Sequence, residues 1–256
     1  MQQHTYAIMD RVEDKHWWFV GRRAILECFL RQIVKPSASD GIAAAGSETA
    51  MRILDVGCGT GANLDMLAAF GNAEGVDVSD EALEFCRKKG LSVQKGLAEK
   101  LPFDDETFDI TTALDVVEHL EDDLAGLREL YRVTKSGGRA LIFVPAFMWL
   151  WGVQDDVSNH RIRYTRRQIV DRLQKAGFEI ERATYANITF FAPILAGRLL
   201  MRLTGFKPAS ENNLNISLLN GIFGKIFSSE SLWLKYFNLP FGVSIVLLVR
   251  KGRHNI

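Results

Sequence analysis

The run ILDVGCGTGA, residues 53–62, sets Gly57, Gly59 and Gly61 in strict alternation after an apolar, strand-like stretch, with the carboxylate of Asp55 just ahead of them. A glycine turn between a strand and a helix brings backbone N–H groups and a helix N-terminus close to a bound ligand. Two ligand classes compete for such a turn. Gly57, Gly59 and Ala62, with an acid at Asp77 about twenty residues on, satisfy the fingerprint of a dinucleotide site. Asp55 would face an incoming pyrophosphate, whereas it suits a ligand with a cationic α-amino group. Asp77, in GVDVS, suits ribose hydroxyls in either case.

Two further stretches carry reactive side chains. In ALDVVEHLEDD, Glu118 and His119 follow Asp115 by three and four positions, so a helical turn would put all three on one face. Such a set can hold magnesium or zinc, can open the next helix with local hydrogen bonds, or can offer His119 as a general base. In DDVSNHRIRYT, His160 and Tyr164 can take a proton while Arg161 and Arg163 hold an acidic or phosphorylated acceptor. Just before it, Phe147, Trp149 and Trp151 either wall an apolar acceptor or pack as core. Near the start of the chain, HWWFVGRR crowds His16, Trp17, Trp18 and Phe19 beside Arg22 and Arg23.

The elements that must position these groups alternate. RILDV, AEGVDV, LSVQ, FDITTAL and RALIFV read as strands, with helices from Gly61, from Ser79 to Lys89 and from about Glu121 to Val133 between them. Strands alternating with helices mean a doubly wound, Rossmann-like parallel sheet. Thr165 and Gln168 form a capping box opening a helix that ends at Gly177, followed by the strands FEIERATY and VSIVLLVRK. An amphipathic helix over 18–34 precedes all of this, and a Ser, Ala and Gly-rich connection over 35–50 joins it to the sheet. The organisation expected is a helical lid and linker over 1–50, an α/β core over 51–186, an apolar helical insertion over 187–242, and a last strand with tail over 243–256.

Composition narrows the function. The 256 residues carry 31 basic and 31 acidic side chains, a formal net charge of zero, which gives no global field for nucleic acid. Three cysteines without CxxC spacing fit a reduced cytosolic chain. MQQHTYAIMDRVEDK has neither a secretory nor a transit pattern. FFAPILAGRLLMRL is too short and too charged to span a membrane, needing roughly 20 apolar residues, but it can lie on one.

With DVGCGTG, LPFDDETFD and GGRALIFVP in this order from Met51 to about Pro145, the chain resembles the class I S-adenosylmethionine-dependent methyltransferases, in a subgroup of small bacterial enzymes. The resemblance implies a seven-stranded, mostly parallel sheet. It places Asp55, Gly57, Gly59 and Gly61 around the methionine part of the cofactor and Asp77 on its ribose. Leu114 and Ala98 then lie near the adenosine and Asp115 near the reacting end. Many relatives carry an acid at the position of Leu97, which this chain lacks, so backbone near Ala98 and apolar packing must hold the adenine. The D-x-x-E-H spacing also resembles quinone-precursor O-methyltransferases, a subset of which holds a divalent cation there; the expectation for this chain is no metal, with Asp115, Glu118 and His119 as the fallback set. In those relatives an arginine of the leading segment meets the cofactor's carboxylate, which points to Arg22 or Arg23.

The expected activity is methyl transfer to oxygen on an apolar or lipid-linked small-molecule acceptor with a polar head, in the cytoplasm and at the inner face of the membrane if Arg198, Arg202 and Lys207 sit near head groups. His160, Tyr164 and His119 are the expected catalytic groups, and His16, Trp17, Trp151 and Arg163 the expected acceptor contacts. Three rivals stand beside it: a soluble sugar or secondary-metabolite methyltransferase, a cofactor-binding module without turnover, and an NAD oxidoreductase, which Asp55 and the third glycine disfavour. Oligomeric state is not legible.

Overall fold

The computed structural model describes residues 4–34, 50–206 and 217–253. At its centre β1 (Arg52–Val56) is buried from its second residue onward, as a strand covered on both faces must be. It pairs in parallel with β2 (Asn72–Asp77) on one side and β4 (Phe108–Leu114) on the other. Beyond β2 lies the short β3 (Val93–Lys95); beyond β4 come β5 (Thr134–Pro145), β7 (Ser244–Lys251) and β6 (Phe178–Ala186). The order is β3-β2-β1-β4-β5-β7-β6, with β7 antiparallel to both neighbours. The doubly wound, mostly parallel seven-stranded expectation holds. From β1 the chain runs outward through β2 to β3 and then resumes on the other side of β1 at β4, and this switch in strand order leaves a crevice at the carboxyl ends of those parallel strands, where open α/β sheets take ligands.

Helices α3 (Ala62–Ala68), α4 (Asp80–Lys88) and α5 (Asp123–Val133) are the crossovers. Ser79 caps α4 by accepting from Ala82 N, and Asp122 caps α5 by accepting from Ala125 N. After β5 come a five-residue helix, α6 (Val153–Val157), and α7 (Arg166–Ala176). The capping box at the start of α7 forms as the sequence suggests, and Gly177 ends the helix at φ 109°.

A helix the sequence reading did not anticipate, α1 (His4–Val12), precedes α2 (Trp17–Ile33). His16 caps α2, its side chain accepting from Trp18 N. The insertion holds α8 (Phe191–Thr204) and α9 (Ser217–Leu234). α9 lies against α2 so closely that a Cβ on Gly21 would fall 2.2 Å from the Phe227 ring, and Trp18 stacks on that ring at 5.5 Å. The connection over 35–49 and Lys207 lie outside the described residues.

Candidate active site

A cavity of about 820 Å³ opens over the ends of β1, β2, β4 and β5, roofed by α1, α2 and α8. Its first end is built from the glycine turn. Gly57 takes φ 70° and a Cβ there would sit 2.4 Å from Val116 Cγ2, so that position is glycine for fit as well as for conformation. Gly59, at φ 54°, has nothing within 4 Å of a Cβ position and lines the cavity, so it leaves an open cradle that any side chain would begin to fill. The turn's N–H groups are already used: Gly57 N donates to Val76 O, Gly61 N to Cys58 O and Gly59 N to Asp77 Oδ2. Gly61 does not line the cavity; its place is filled against Leu91. The turn therefore serves a ligand through its bare Cα at Gly59 and by aiming Asp77.

Asp77 lines the cavity and is held by one backbone donor on each oxygen, Gly59 N and Ser79 N, both at 2.9 Å. Each oxygen keeps acceptor capacity, a fitting seat for a pair of vicinal hydroxyls. Ala98 and Leu114 line the same end, and Leu97, 53 % exposed, leaves its edge apolar.

Asp55 corrects one expectation. Paired in register with Thr112, it is fully buried and accepts from Thr112 Oγ1 at 2.5 Å, so its carboxylate lies beneath the cavity floor. Burial pushes it up to about 6, against the pull of Thr112 and the Arg22 charge. Asp115, unlike Asp55, does line the cavity, at φ 58° in the left-handed region that non-glycine residues seldom occupy. It is ion-paired with Arg22, which reaches over from α2 and also donates to Asn63 Oδ1 at 3.3 Å. Between the two arginine candidates the structure separates cleanly. Arg22 lines the cavity, whereas Arg23 donates to the Glu13 carbonyl at 2.8 Å and does not reach it. Glu13 itself, with Tyr6 and Met9 of α1, lines the cavity and accepts from Thr60 Oγ1 at 2.6 Å; a lone short helix with no motif gave no signal of this.

The second end gathers His16, Trp17, His119 and His160 with α8. Burial lowers His16 and brings His119 down to about 4, the neighbouring His160 adding to it, so His119 is a neutral imidazole at neutral pH. The two imidazoles of His119 and His160 meet edge to face at 4.7 Å. Behind them Glu118 is wholly buried, raised well above the ordinary carboxylate range by burial and by Asp115. Glu118, His119 and His160 present ligand atoms within 4.8 Å of one another. The fallback metal set is corrected: the turn is a 3-10 segment over Val117–His119 that Asp115 precedes with reversed φ, so His160 and not Asp115 completes the cluster.

Several expected contacts lie elsewhere. Tyr164 is 1 % exposed, donates to Asp123 Oδ2 at 2.9 Å and is raised by burial and that carboxylate, so it cannot act as a base in the cavity. Arg163 borders the cavity, but its guanidinium is spent on Asp155 Oδ1 at 2.7 Å and on the carbonyls of Ala146 and Val243. Trp151 donates to Asp156 Oδ1 at 2.9 Å outside the cavity. Phe147 stacks between Trp149 and Tyr185, also outside it. Arg198 is buried and donates to the Leu150 carbonyl, whereas Arg202 stays exposed and donates to the carbonyls of Trp149 and Trp151. The apolar wall comes instead from Pro193, Ile194 and Met201 of α8.

Strand order, glycine turn and the aimed Asp77 together define a class I methyltransferase fold. Residues 54–142 match the family model described as Methyltransferase domain. S-adenosylmethionine is the cofactor of that family. A demethylmenaquinone methyltransferase of Chlorobaculum tepidum is 41 % identical over 98 residues, 37 % of this chain and 40 % of its own length. A 2-methyl-6-phytyl-1,4-hydroquinone methyltransferase of Oryza sativa is 28 % identical over 172 residues, 64 % of this chain and 52 % of its own. The chain thus spans about half or less of the curated relatives it matches. Among solved structures, the complex between the Haloferax volcanii Trm112 methyltransferase activator and a methyltransferase aligns over 99 % of this chain and 96 % of that one, with TM-score 0.62 and 18 % identity, a likeness of fold.

Proposed function

We propose that the chain is an S-adenosylmethionine-dependent methyltransferase that methylates oxygen on an apolar or lipid-linked acceptor with a polar head. The observation that carries this is one continuous cavity whose first end offers Asp77, the Gly59 cradle and Arg22, and whose second end offers two imidazoles under the apolar wall of α8. The residues fit the cofactor: the missing side chain at Gly59 leaves the cradle open, and Asp77 is fixed with acceptor capacity to spare. Relatives named for demethylmenaquinone and a phytyl hydroquinone support an acceptor of the same amphipathic kind.

When bound, the cofactor supplies an electrophilic methyl group on a sulfonium, so the protein must align an acceptor and, for a hydroxyl, remove a proton. Arg22 would hold the cofactor's carboxylate, Asp77 the ribose hydroxyls, and Leu97, Ala98 and Leu114 the adenine edge. His160 takes the acceptor's proton, with neutral His119 beside it. His16, Trp17, Trp18 and Phe19 close the cavity from α2 and keep water out. Leu199, Leu200 and Leu203 stand exposed on the far side of α8, which supports contact with the cytoplasmic face of a membrane. No helix among the described residues is long and apolar enough to cross one.

Calorimetry tests the premise: S-adenosylmethionine and its demethylated product should both bind, and NAD should not compete. Binding of neither, or tighter binding of NAD, would overturn it; binding of both without turnover on any extract would leave a cofactor-binding module. Incubating extracts with methyl-labelled cofactor then separates acceptors, with label in the lipid phase expected. The ties of Arg198 and Arg202 to the carbonyls of Trp149, Leu150 and Trp151 favour a closed cap and hence a second reading, a soluble sugar or secondary-metabolite acceptor. Label confined to the aqueous phase would select it.

A further inference from the structure

His160 reaches the cavity from the segment after α6, and a ring on such a segment needs a tie to stay oriented. Its Nδ1 lies 2.8 Å from Asp155 Oδ1, and its backbone N–H donates to the Asp155 carbonyl at 2.9 Å. An ionised carboxylate only accepts, so the proton must sit on Nδ1 and the lone pair on Nε2. Nε2 is 3.9 Å from Glu118 Oε1, beyond hydrogen-bond reach, so that lone pair is not consumed.

Asp155 is itself held from several directions. Arg163 NH1 donates to Oδ1 at 2.7 Å, Gly152 N donates to Oδ2 at 2.7 Å, and Arg198 of α8 stands 3.8 Å from Oδ2. The residue is 1 % exposed. Burial alone would raise its pKa, but the His160 hydrogen bond and the Arg163 and Arg198 charges bring it down to about 2, so the carboxylate is ionised at neutral pH.

We propose that Asp155 is a positioning residue that fixes His160 as the Nδ1–H tautomer, leaving Nε2 as the proton acceptor, and through Arg198 ties that arrangement to the α8 wall of the cavity. The consequence for catalysis rests on the methyl-transfer reading, whereas the tautomer does not. In the step served, the acceptor's O–H bond breaks and its proton passes to Nε2 while the oxygen forms the new bond to methyl. The electron pair of the broken S–C bond stays on sulfur. The resulting imidazolium is stabilised by Asp155 and later loses its proton to water.

A buried aspartate serving only to neutralise Arg163 would fill the same space, so the test must read the ring. In the full-length protein labelled at histidine ring nitrogens, with His160→Gln identifying the resonance among the five histidines, His160 should show a protonated Nδ1 and a bare Nε2 near pH 8. Asp155→Asn should shift the ring toward the Nε2–H form and lower kcat by about 100-fold, with affinity for the demethylated cofactor unchanged. A wild-type ring protonated on Nε2 would overturn the proposal, as would an unchanged tautomer or an unchanged kcat in Asp155→Asn. Should the Asn variant fail to fold, the wild-type spectrum decides alone. If the wild type shows the Nδ1–H ring but transfers methyl to nothing, the functional reading fails and the positioning of His160 by Asp155 stands.

Discussion

The two ends of the cavity are built by different rules. At the end proposed for the cofactor much of the work is done through backbone shape, and the groups that matter are a missing side chain at Gly59 and a carboxylate at Asp77 aimed by backbone N–H donors. At the acceptor end the work falls to side chains from four distant segments, around His16, His119, His160 and α8, and their roles are set by partners such as Asp155 and Arg198. The first end can be read from spacing because the chemistry is local. The second exists only once the sheet has brought the segments together.

The largest expected effect lies at the cofactor end. Gly57→Ala must place a Cβ 2.4 Å from Val116 Cγ2 at φ 70°, adding roughly 1–2 kcal/mol of left-handed strain to about 1–3 kcal/mol of overpacking. A marked fall in Tm and no measurable binding of the demethylated cofactor are expected. Gly59→Ala shares the strain, at φ 54°, but meets no atom within 4 Å. It should fold with the smaller loss and still bind poorly, because its methyl group enters the cradle. Undiminished affinity in Gly59→Ala, read by calorimetry, would remove the cradle from the site.

How far each end was legible follows from the same contrast. The strand–helix rhythm and the glycine alternation made the doubly wound sheet legible, and the glycine turn and Asp77 marked the end proposed for the cofactor, since these signals lie within single strand–turn–helix units. Asp55 misled because its side chain alternates to the buried face beside Thr112, which a motif does not report. Tyr164 and Trp151 misled for a related reason: residue type marked them as reactive, but burial against Asp123 and a bond to Asp156 turn them from the cavity. Helix α1 carries no motif, because Tyr6 and Met9 within it and Glu13 just beyond it, which line the cavity, are ordinary in isolation.

Next in size is the joint between the ends. Arg22→Ala removes a charged donor from the cavity and leaves Asp115 unpaired, and charged hydrogen bonds are worth about 1.5–3 kcal/mol. Affinity for the demethylated cofactor should fall by about 10- to 100-fold. Arg23→Ala, whose guanidinium serves the Glu13 carbonyl, should leave affinity unchanged. Equal losses in both variants would break the distinction that geometry draws between them.

A smaller effect should appear in the pH dependence of stability. Asp55 has its folded pKa raised to about 6 from 3.8, so the native state holds this proton over a range in which the unfolded chain has lost it. Its contribution is therefore fully present below pH 3.8 and is lost as pH rises through about 6, amounting to at most about 3 kcal/mol. Asp55→Asn stays neutral and can still accept from Thr112. Denaturant melts between pH 4 and pH 7 should show the wild type losing stability relative to this variant, and parallel curves would mean that Asp55 is better solvated than its burial implies.

The smallest effect on stability, and the sharpest on the acceptor end, belongs to the outer face of α8. Its neighbour in the insertion, α9, buries Phe227 and Leu234 but leaves Leu232 and Trp233 exposed, and α8 leaves Leu200 at 61 % and Leu203 at 85 % exposed while its other side lines the cavity. Replacing both leucines with glutamate should change stability by no more than about 0.5 kcal/mol, because neither side chain is packed. If this face rests on lipid, the wild type should float with anionic phospholipid vesicles and the double variant should not, since exposed apolar area and attraction to anionic head groups both drive such binding. Cofactor affinity should be the same in the two proteins. Equal flotation of both, or of neither, would make the exposed leucines the outside of a closed cap, and the acceptor would then have to enter from water past Trp17 and His16.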